Sequence, residues 1–286
     1  MAGKLMLALA ALAIWAPAQQ QKKGGGQPVQ AAQQVKPGLY MIAGAGANSE
    51  VRVTDDGLIV VDGKLPGEKN YDDLMAQVKA ISNRPVKYLI VTHHHADHTG
   101  NNDRFLAEGV PVIGHENLKK NAETYNNNPK PAPPDQTYSG GEHTVQLGGV
   151  TVELHHFGRA HTSGDTVVYF PDLKTVVASD VVTTGATGPL ADYNGGGSFL
   201  EWPQVLADIL KLDFDACIPG NGPVLSKADV QAYKTKIDTF VSRAKEAVAK
   251  GVPKDQLMTS IKTDDLGWMP RVPNVDAFYA ELMRAK

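Results

Sequence analysis

Short apolar runs separated by turn residues open the patterned part of the chain. Leu39 to Ala43, Val51 to Thr54 and Leu58 to Asp62 read as strands of a hairpin or meander, with the turn Asp55-Asp56-Gly57 before the last. The period then changes: between Glu68 and Ile81, Tyr71, Leu74, Met75, Val78 and Ile81 recur at helical spacing. A strand from Val86 to Val91 follows, then a helix over Asn101 to Glu108, a strand near Val110 to Ile113 and a helix from Glu116 to Tyr125. Asn126 to Pro134, rich in Asn and Pro, reads as loop. His143 to Ser179 is rich in strands, Thr184 to Ser198 is a Gly-rich loop, a helix begins at Pro203, and Asp215 to Ile218 is a last strand. Val230, Tyr233, Ile237, Phe240, Ala244 and Val248 mark a long amphipathic helix, and shorter helices are expected after it. This alternation predicts layers of sheet covered by helix.

The ends change the picture. Lys4, the apolar stretch Leu5 to Trp15 and the small-x-small triplet Ala16-Pro17-Ala18 have the form of an export signal, too short to span a bilayer. The expected organisation is a signal over 1–18, a flexible Gln/Gly/Lys tether over 19–36, a folded domain over 37–225 and a helical extension over 226–286 packed on it. Export predicts a periplasmic or secreted protein with no stable membrane anchor once the signal is cleaved. A net charge of -3 without a basic stripe argues against a nucleic-acid partner and leaves a small-molecule substrate. The one cysteine, Cys217, cannot form an internal disulfide and reads as a buried small residue.

The candidate chemistry sits at the end of the Val86 strand, in His93-His94-His95-Ala96-Asp97-His98. Imidazole and carboxylate are the usual non-thiol ligands of zinc. In an extended segment His93 and His95 face the same way and can grip one ion, while His94 faces away. Asp97 and His98 follow after a turn and can reach a second ion beside it. A second group follows Gly158, where His161 precedes the apolar strand Thr166 to Phe170. Folding the hairpin about Pro171 to Lys174 returns Asp180 to the end of the sheet that carries His161. Of the other histidines, His155 or His156 is expected to support the site from behind its ligands.

Three motifs together resemble the metallo-β-lactamase superfamily: T-H-x-H-x-D-H at Thr92 to His98, G-x-x-H-T at Gly158 to Thr162, and Ser179-Asp180. The resemblance covers roughly Gly38 to Ser226. It implies an α+β fold, a four-layer αβ/βα sandwich with metal at one edge between the sheets, here with extra C-terminal helices. It also implies roles: His93, His95 and His161 for a first zinc, Asp97 and His98 for a second, and Asp180 bridging the two or completing the second site. The family's last metal histidine lies in a G-H-G-P-like turn, but the turn here is Pro219-Gly220-Asn221-Gly222-Pro223. Asn221 offers only a neutral amide oxygen, so one tight zinc and a weakened second are expected.

The resemblance implies a metal-dependent hydrolase in which Asp97 orients water and moves its proton. Tyr193 and Trp202, in and beside the Gly-rich loop, are candidates for the substrate wall. Some β-lactamases of this family hold the drug's carboxylate with a lysine in the corresponding region, and no lysine lies between Val181 and Leu210. A β-lactam-like amide is the favoured substrate, with lactone or thioester hydrolysis as the alternative. A mononuclear iron dioxygenase similar to persulfide dioxygenases, and a non-catalytic metal-binding protein, are the readings from other classes.

Overall fold

The structure is a computed structural model and describes residues 26–125, 130–185 and 187–284. The expected signal over 1–18 and the tether as far as residue 25 lie outside the described residues. The first sheet has seven strands, hydrogen-bonded in chain order: β1 (Gln33–Lys36), β2 (Leu39–Ile42), β3 (Ser49–Val53), β4 (Leu58–Val61), β5 (Val86–Ile90), β6 (Val112–His115) and β7 (Gln136–Tyr138). The strands run antiparallel as far as β4 and parallel from there to β7. The parallel connections carry helices α1 (Glu68–Ile81), α2 (Ala96–Thr99), α3 (Asn102–Ala107) and α4 (Glu116–Thr124).

The second sheet contains β8 (Glu142–Leu147), β9 (Val150–His155), β10 (Val167–Phe170), β11 (Thr175–Ser179), β13 (Ala216–Pro219) and β14 (Leu225–Ser226), in the order β14-β13-β11-β10-β9-β8. Between β11 and β13 the chain forms β12 (Thr187–Leu190) and α5 (Trp202–Ile209). After β14 come α6 (Lys227–Ala249), α7 (Leu257–Ser260), β15 (Met269–Arg271) and α8 (Val275–Arg284). α6 starts with a capping box in which Ser226 and Asp229 satisfy each other's backbone N–H.

Side-chain alternation divides the interior into three layers of contact. Met41, Ile59 and Val61 point from the first sheet toward Leu154, Phe170 and Val177 of the second. Leu58 and Val60, one position out of step, point the other way, onto Leu74 and Val78 of α1. On the far face of the second sheet, Val176 and Ala178 pack with Leu206 of α5, Ile237 and Phe240 of α6 and Phe278 of α8. Helix, sheet, sheet and helix therefore stack as an αβ/βα sandwich. Among the described residues no helix is long and apolar enough to cross a membrane.

Two segments depart from the sequence expectation. Gln33 to Lys36, assigned to the tether, is an edge strand: β1 pairs with β2, and Val35 packs against the inter-sheet core. Glutamines hid it, because a backbone ladder needs no apolar side chain and an edge strand has one free flank. The Gly-rich loop is not all loop, since β12 pairs in parallel with β15, contributed by the C-terminal region.

Candidate metal centre

Strand ends from both sheets deliver the predicted residues to one edge of the sandwich. The chain leaves β5 through Thr92 into the histidine run. The segment after β9 brings His161, and the end of β11 brings Asp180. Ser179 is in left-handed backbone (φ 47°), as is Asp62 (φ 58°) just after β4. Conformations that disfavour a side chain persist where their surroundings over-determine them. Here the hydroxyls of Thr92 and Ser179 lie 2.8 Å apart, and Thr92 also donates to Asp62, tying the two sheet edges together.

His93, His95 and His161 converge. His93 Nε2 lies 3.1 Å from His95 Nδ1 and 3.2 Å from His161 Nε2, and the last two nitrogens are 2.9 Å apart. Ligand nitrogens around one tetrahedral zinc would stand about 3.3 Å apart, given zinc–nitrogen bonds of roughly 2.0–2.1 Å. The opposite ring nitrogens settle which atoms face inward. His161 Nδ1 donates to the Leu190 carbonyl at 2.6 Å, and His95 Nε2 donates to Asp192 at 2.9 Å. Each thus presents an unprotonated nitrogen to the centre. Burial holds the pKa of His93 well below the ordinary imidazole value and lowers that of His161. It brings His95 down to about 4 despite its bond to Asp192. Neutral imidazole is the ligand form.

A second group, His93, His98 and Asp180, adjoins the first. His98 is fully buried, and its Nδ1 donates to Asp62 at 2.7 Å. Its Nε2 is buried without a hydrogen-bond partner, 3.7 Å from Asp97 and 3.8 Å from Asp180. Burial works against charge on His98, but the Asp62, Asp97 and Asp180 carboxylates outweigh it and raise its pKa to about 10. A buried nitrogen facing two carboxylates just beyond hydrogen-bond reach is the donor set a cation takes. The residues therefore fit a metal. Asp180 also lies 3.5 Å from His161 Nε2, so it reaches toward both groups. Burial raises the Asp180 pKa; it opposes the charge on Asp97 too, but His98 and His95 keep that carboxyl below its ordinary value.

Asn221 is exposed, and its carbonyl accepts a bond from the Thr184 hydroxyl at 2.7 Å. Among the described residues no hydrogen bond joins its amide to the cluster. The neighbouring Gly220 does touch the site: a Cβ there would lie 1.8 Å from Asp180 Oδ1. The substrate-wall assignment needs correcting. Trp202 is fully buried and donates from its indole to the Val181 carbonyl, and Tyr193 turns its hydroxyl to Glu281 at 2.7 Å. Both aromatics pack against the core of the second sheet. The Gly-rich segment spends its apolar area on burial, which outweighs exposure at a cleft. His156 stacks on His115 and donates from Nδ1 to the Asp165 carbonyl at 2.8 Å, and among the described residues it makes no bond to the converging histidines.

Sequence reasoning missed three residues. Asp62 orients His98, Asp192 orients His95, and Tyr125 sets its ring against His94 and His95. Asp192 also lies 3.5 Å from His94 Nε2, so His94 belongs to a third group, with His95 and Asp192. A lone aspartate after a strand or in a glycine loop carries no pattern, so nothing in the sequence signalled these contacts.

The chain belongs to the metallo-beta-lactamase superfamily, whose family model matches residues 45–246. It is 31% identical over 174 residues to the 2,4-dinitroanisole O-demethylase subunit alpha of Nocardioides sp. (strain JS1661), a match covering 60% of this chain and 51% of that one. It is 27% identical over 165 residues to the metallo-beta-lactamase IND-1 of Chryseobacterium indologenes, covering 56% of this chain and 64% of the other. The chain thus spans between about half and two thirds of the curated relatives it matches. In structure it is similar to a metallo-beta-lactamase from Pontibacter korlensis, with TM-score 0.65 and 18% identity, over 73% of this chain and 99% of that one. It is also similar to the FIM-1 metallo-beta-lactamase from Pseudomonas aeruginosa in its mono-zinc form, with TM-score 0.63 and 16% identity, over 74% and 95%. These likenesses agree with the fold.

Proposed function

We propose that the protein is a zinc-dependent hydrolase acting on an activated carbonyl, with a β-lactam-like amide as the first substrate class to test. The observation that carries this reading is the inward convergence of three imidazoles, two of them held from behind, His95 by Asp192 and His161 by the Leu190 carbonyl. His93 Nε2, His95 Nδ1 and His161 Nε2 would hold the first ion. His98 and Asp180, with Asp97 beside them, would hold a weaker second, since Asn221 offers no imidazole. Zinc in the first site supplies Lewis acidity and brings the pKa of water down to about 7. Asp97 is one-third exposed and next to His98, and on this reading would orient water and carry its proton away from the reacting carbonyl. Asp180 reaches toward both histidine groups, and Asp62 keeps the His98 ring turned so that Nε2 faces it.

One relative supports a second reading. The name of the Nocardioides protein, an O-demethylase subunit for 2,4-dinitroanisole, points to an activated aryl methyl ether, and to a partner subunit. The same donor set would serve attack on such an electron-poor ring. Hydrolysis of a chromogenic cephalosporin and release of the nitrophenol and methanol from a nitroaryl methyl ether, assayed side by side with His95→Ala as control, separate the two. Zinc-dependent turnover of the cephalosporin alone supports the amide reading, and turnover of the ether alone replaces it. Metal analysis of protein from its native source tests zinc against iron.

A further inference from the structure

We propose that the C-terminal helix α8 sets the geometry of the first metal site, with Glu281 as a remote positioning residue acting through the Asp192 loop on His95. The inference rests on the metal reading given above. Glu281 is only 8% exposed, and a carboxylate so buried is tolerated only where hydrogen bonds replace water. Its oxygens accept from Ser198 Oγ at 2.6 Å and from Tyr193 OH at 2.7 Å, with Arg159 Nη2 at 3.4 Å. Bonds to an ionised acceptor are the strong class. All three donors belong to segments that flank the metal site. Arg159 lies two positions before His161, Tyr193 directly follows Asp192, and Ser198 ends the same loop.

The loop passes that restraint on to the site. Asp192 N donates to the His161 carbonyl at 2.8 Å, Gly197 N to the Asp192 carbonyl at 2.7 Å, and Ser198 N to the Ala160 carbonyl at 2.9 Å. The approach is too close for a side chain: a Cβ at Gly197 would come within 2.4 Å of the His161 carbonyl. At the far end Asp192 accepts from His95 Nε2, which leaves His95 Nδ1 for the centre. The helix grips the loop once more where Asn274, just before α8, donates to the Asn194 side chain at 3.3 Å. From α8 to a ligand nitrogen there is thus an unbroken series of bonds, and α8 lies beyond the stretch the family model matches.

Zinc affinity of the whole protein, by competition with a chromophoric chelator, tests this alongside the thermal midpoint of the metal-free form. Glu281→Ala should weaken zinc binding roughly tenfold, the lower end of what outer partners of a metal ligand command. Asp192→Asn should weaken it at least as much. Because both act through the same loop, the double variant should bind no more weakly than Asp192→Asn alone. Tyr279→Phe removes a different α8 bond, to the Val252 carbonyl, and should leave affinity unchanged. Glu281→Gln keeps one acceptor and should show a smaller loss, which preserves the test if the alanine variant does not fold. Unchanged affinity in the Glu281 variants, or losses that add in the double variant, would overturn the proposal. A wild-type protein that takes up no zinc would instead overturn the metal reading beneath it.

Discussion

At His95 the two ring nitrogens have different tasks: Nε2 is held by Asp192 and Nδ1 faces His93 and His161. Burial lowers its pKa to about 4 in the folded chain, against about 6.5 for an unperturbed imidazole. In that interval the unfolded chain binds the proton and the folded one does not, so stability falls as pH drops from about 6.5 to about 4. The metal-free protein should therefore lose thermal stability across this window, and His95→Gln should lose less. Equal acid limbs in the two proteins would refute it. His98 makes the complementary case. Its ring is turned by Asp62, which also accepts from Thr92 N at 2.9 Å. Asp62→Asn should weaken zinc at the second group by roughly 10- to 100-fold, as expected for an outer partner. A stepwise chelator titration resolves this, and the first, tighter step should move less.

At the scale of elements, the turn between β13 and β14 acts on the site through a glycine rather than through Asn221. A methyl group at Gly220 would collide with Asp180, since the Cβ would lie 1.8 Å from Oδ1 and 3.0 Å from the backbone N. Gly220→Ala should displace Asp180 and lose the second metal before the first, whereas Asn221→Ala should leave first-site affinity unchanged. Zinc stoichiometry of the two variants decides it, and equal losses would restore weight to the amide. The histidine run, His161 and Asp180 were legible because ligand types follow apolar strands at sheet ends, and the strands declared themselves by period. β1 was not, because Gln33-Gln34-Val35-Lys36 has one apolar residue among polar ones and pairs with β2 through backbone bonds. Trp202 was misread because an aromatic beside a glycine loop looks the same in sequence whether it faces a cleft or a core. Its full burial on the second sheet belongs to packing that only the assembled α5, α6 and α8 create.

The whole molecule meets at the metal edge. His93, His95 and His98 follow β5 of the first sheet, while His161 and Asp180 follow β9 and β11 of the second. Loss of either sheet would separate these ligands, so on the proposed reading zinc would bind the folded sandwich and not its halves. Binding free energy then appears as stability of the entire fold, about 4 kcal/mol when free zinc is a thousandfold above its Kd. For a chain of this size that amounts to roughly 10 °C in thermal midpoint, taking about 2–4 °C per kcal/mol. Zinc should therefore raise the midpoint of the chelator-treated protein by this order, in one transition followed by both near- and far-ultraviolet dichroism. His161→Ala removes a ligand contributed by the second sheet, and should abolish the shift although every first-sheet histidine remains. A shift that survives this change, or one confined to a separate minor transition, would mean that the metal is held by the histidine run alone and does not tie the two sheets together.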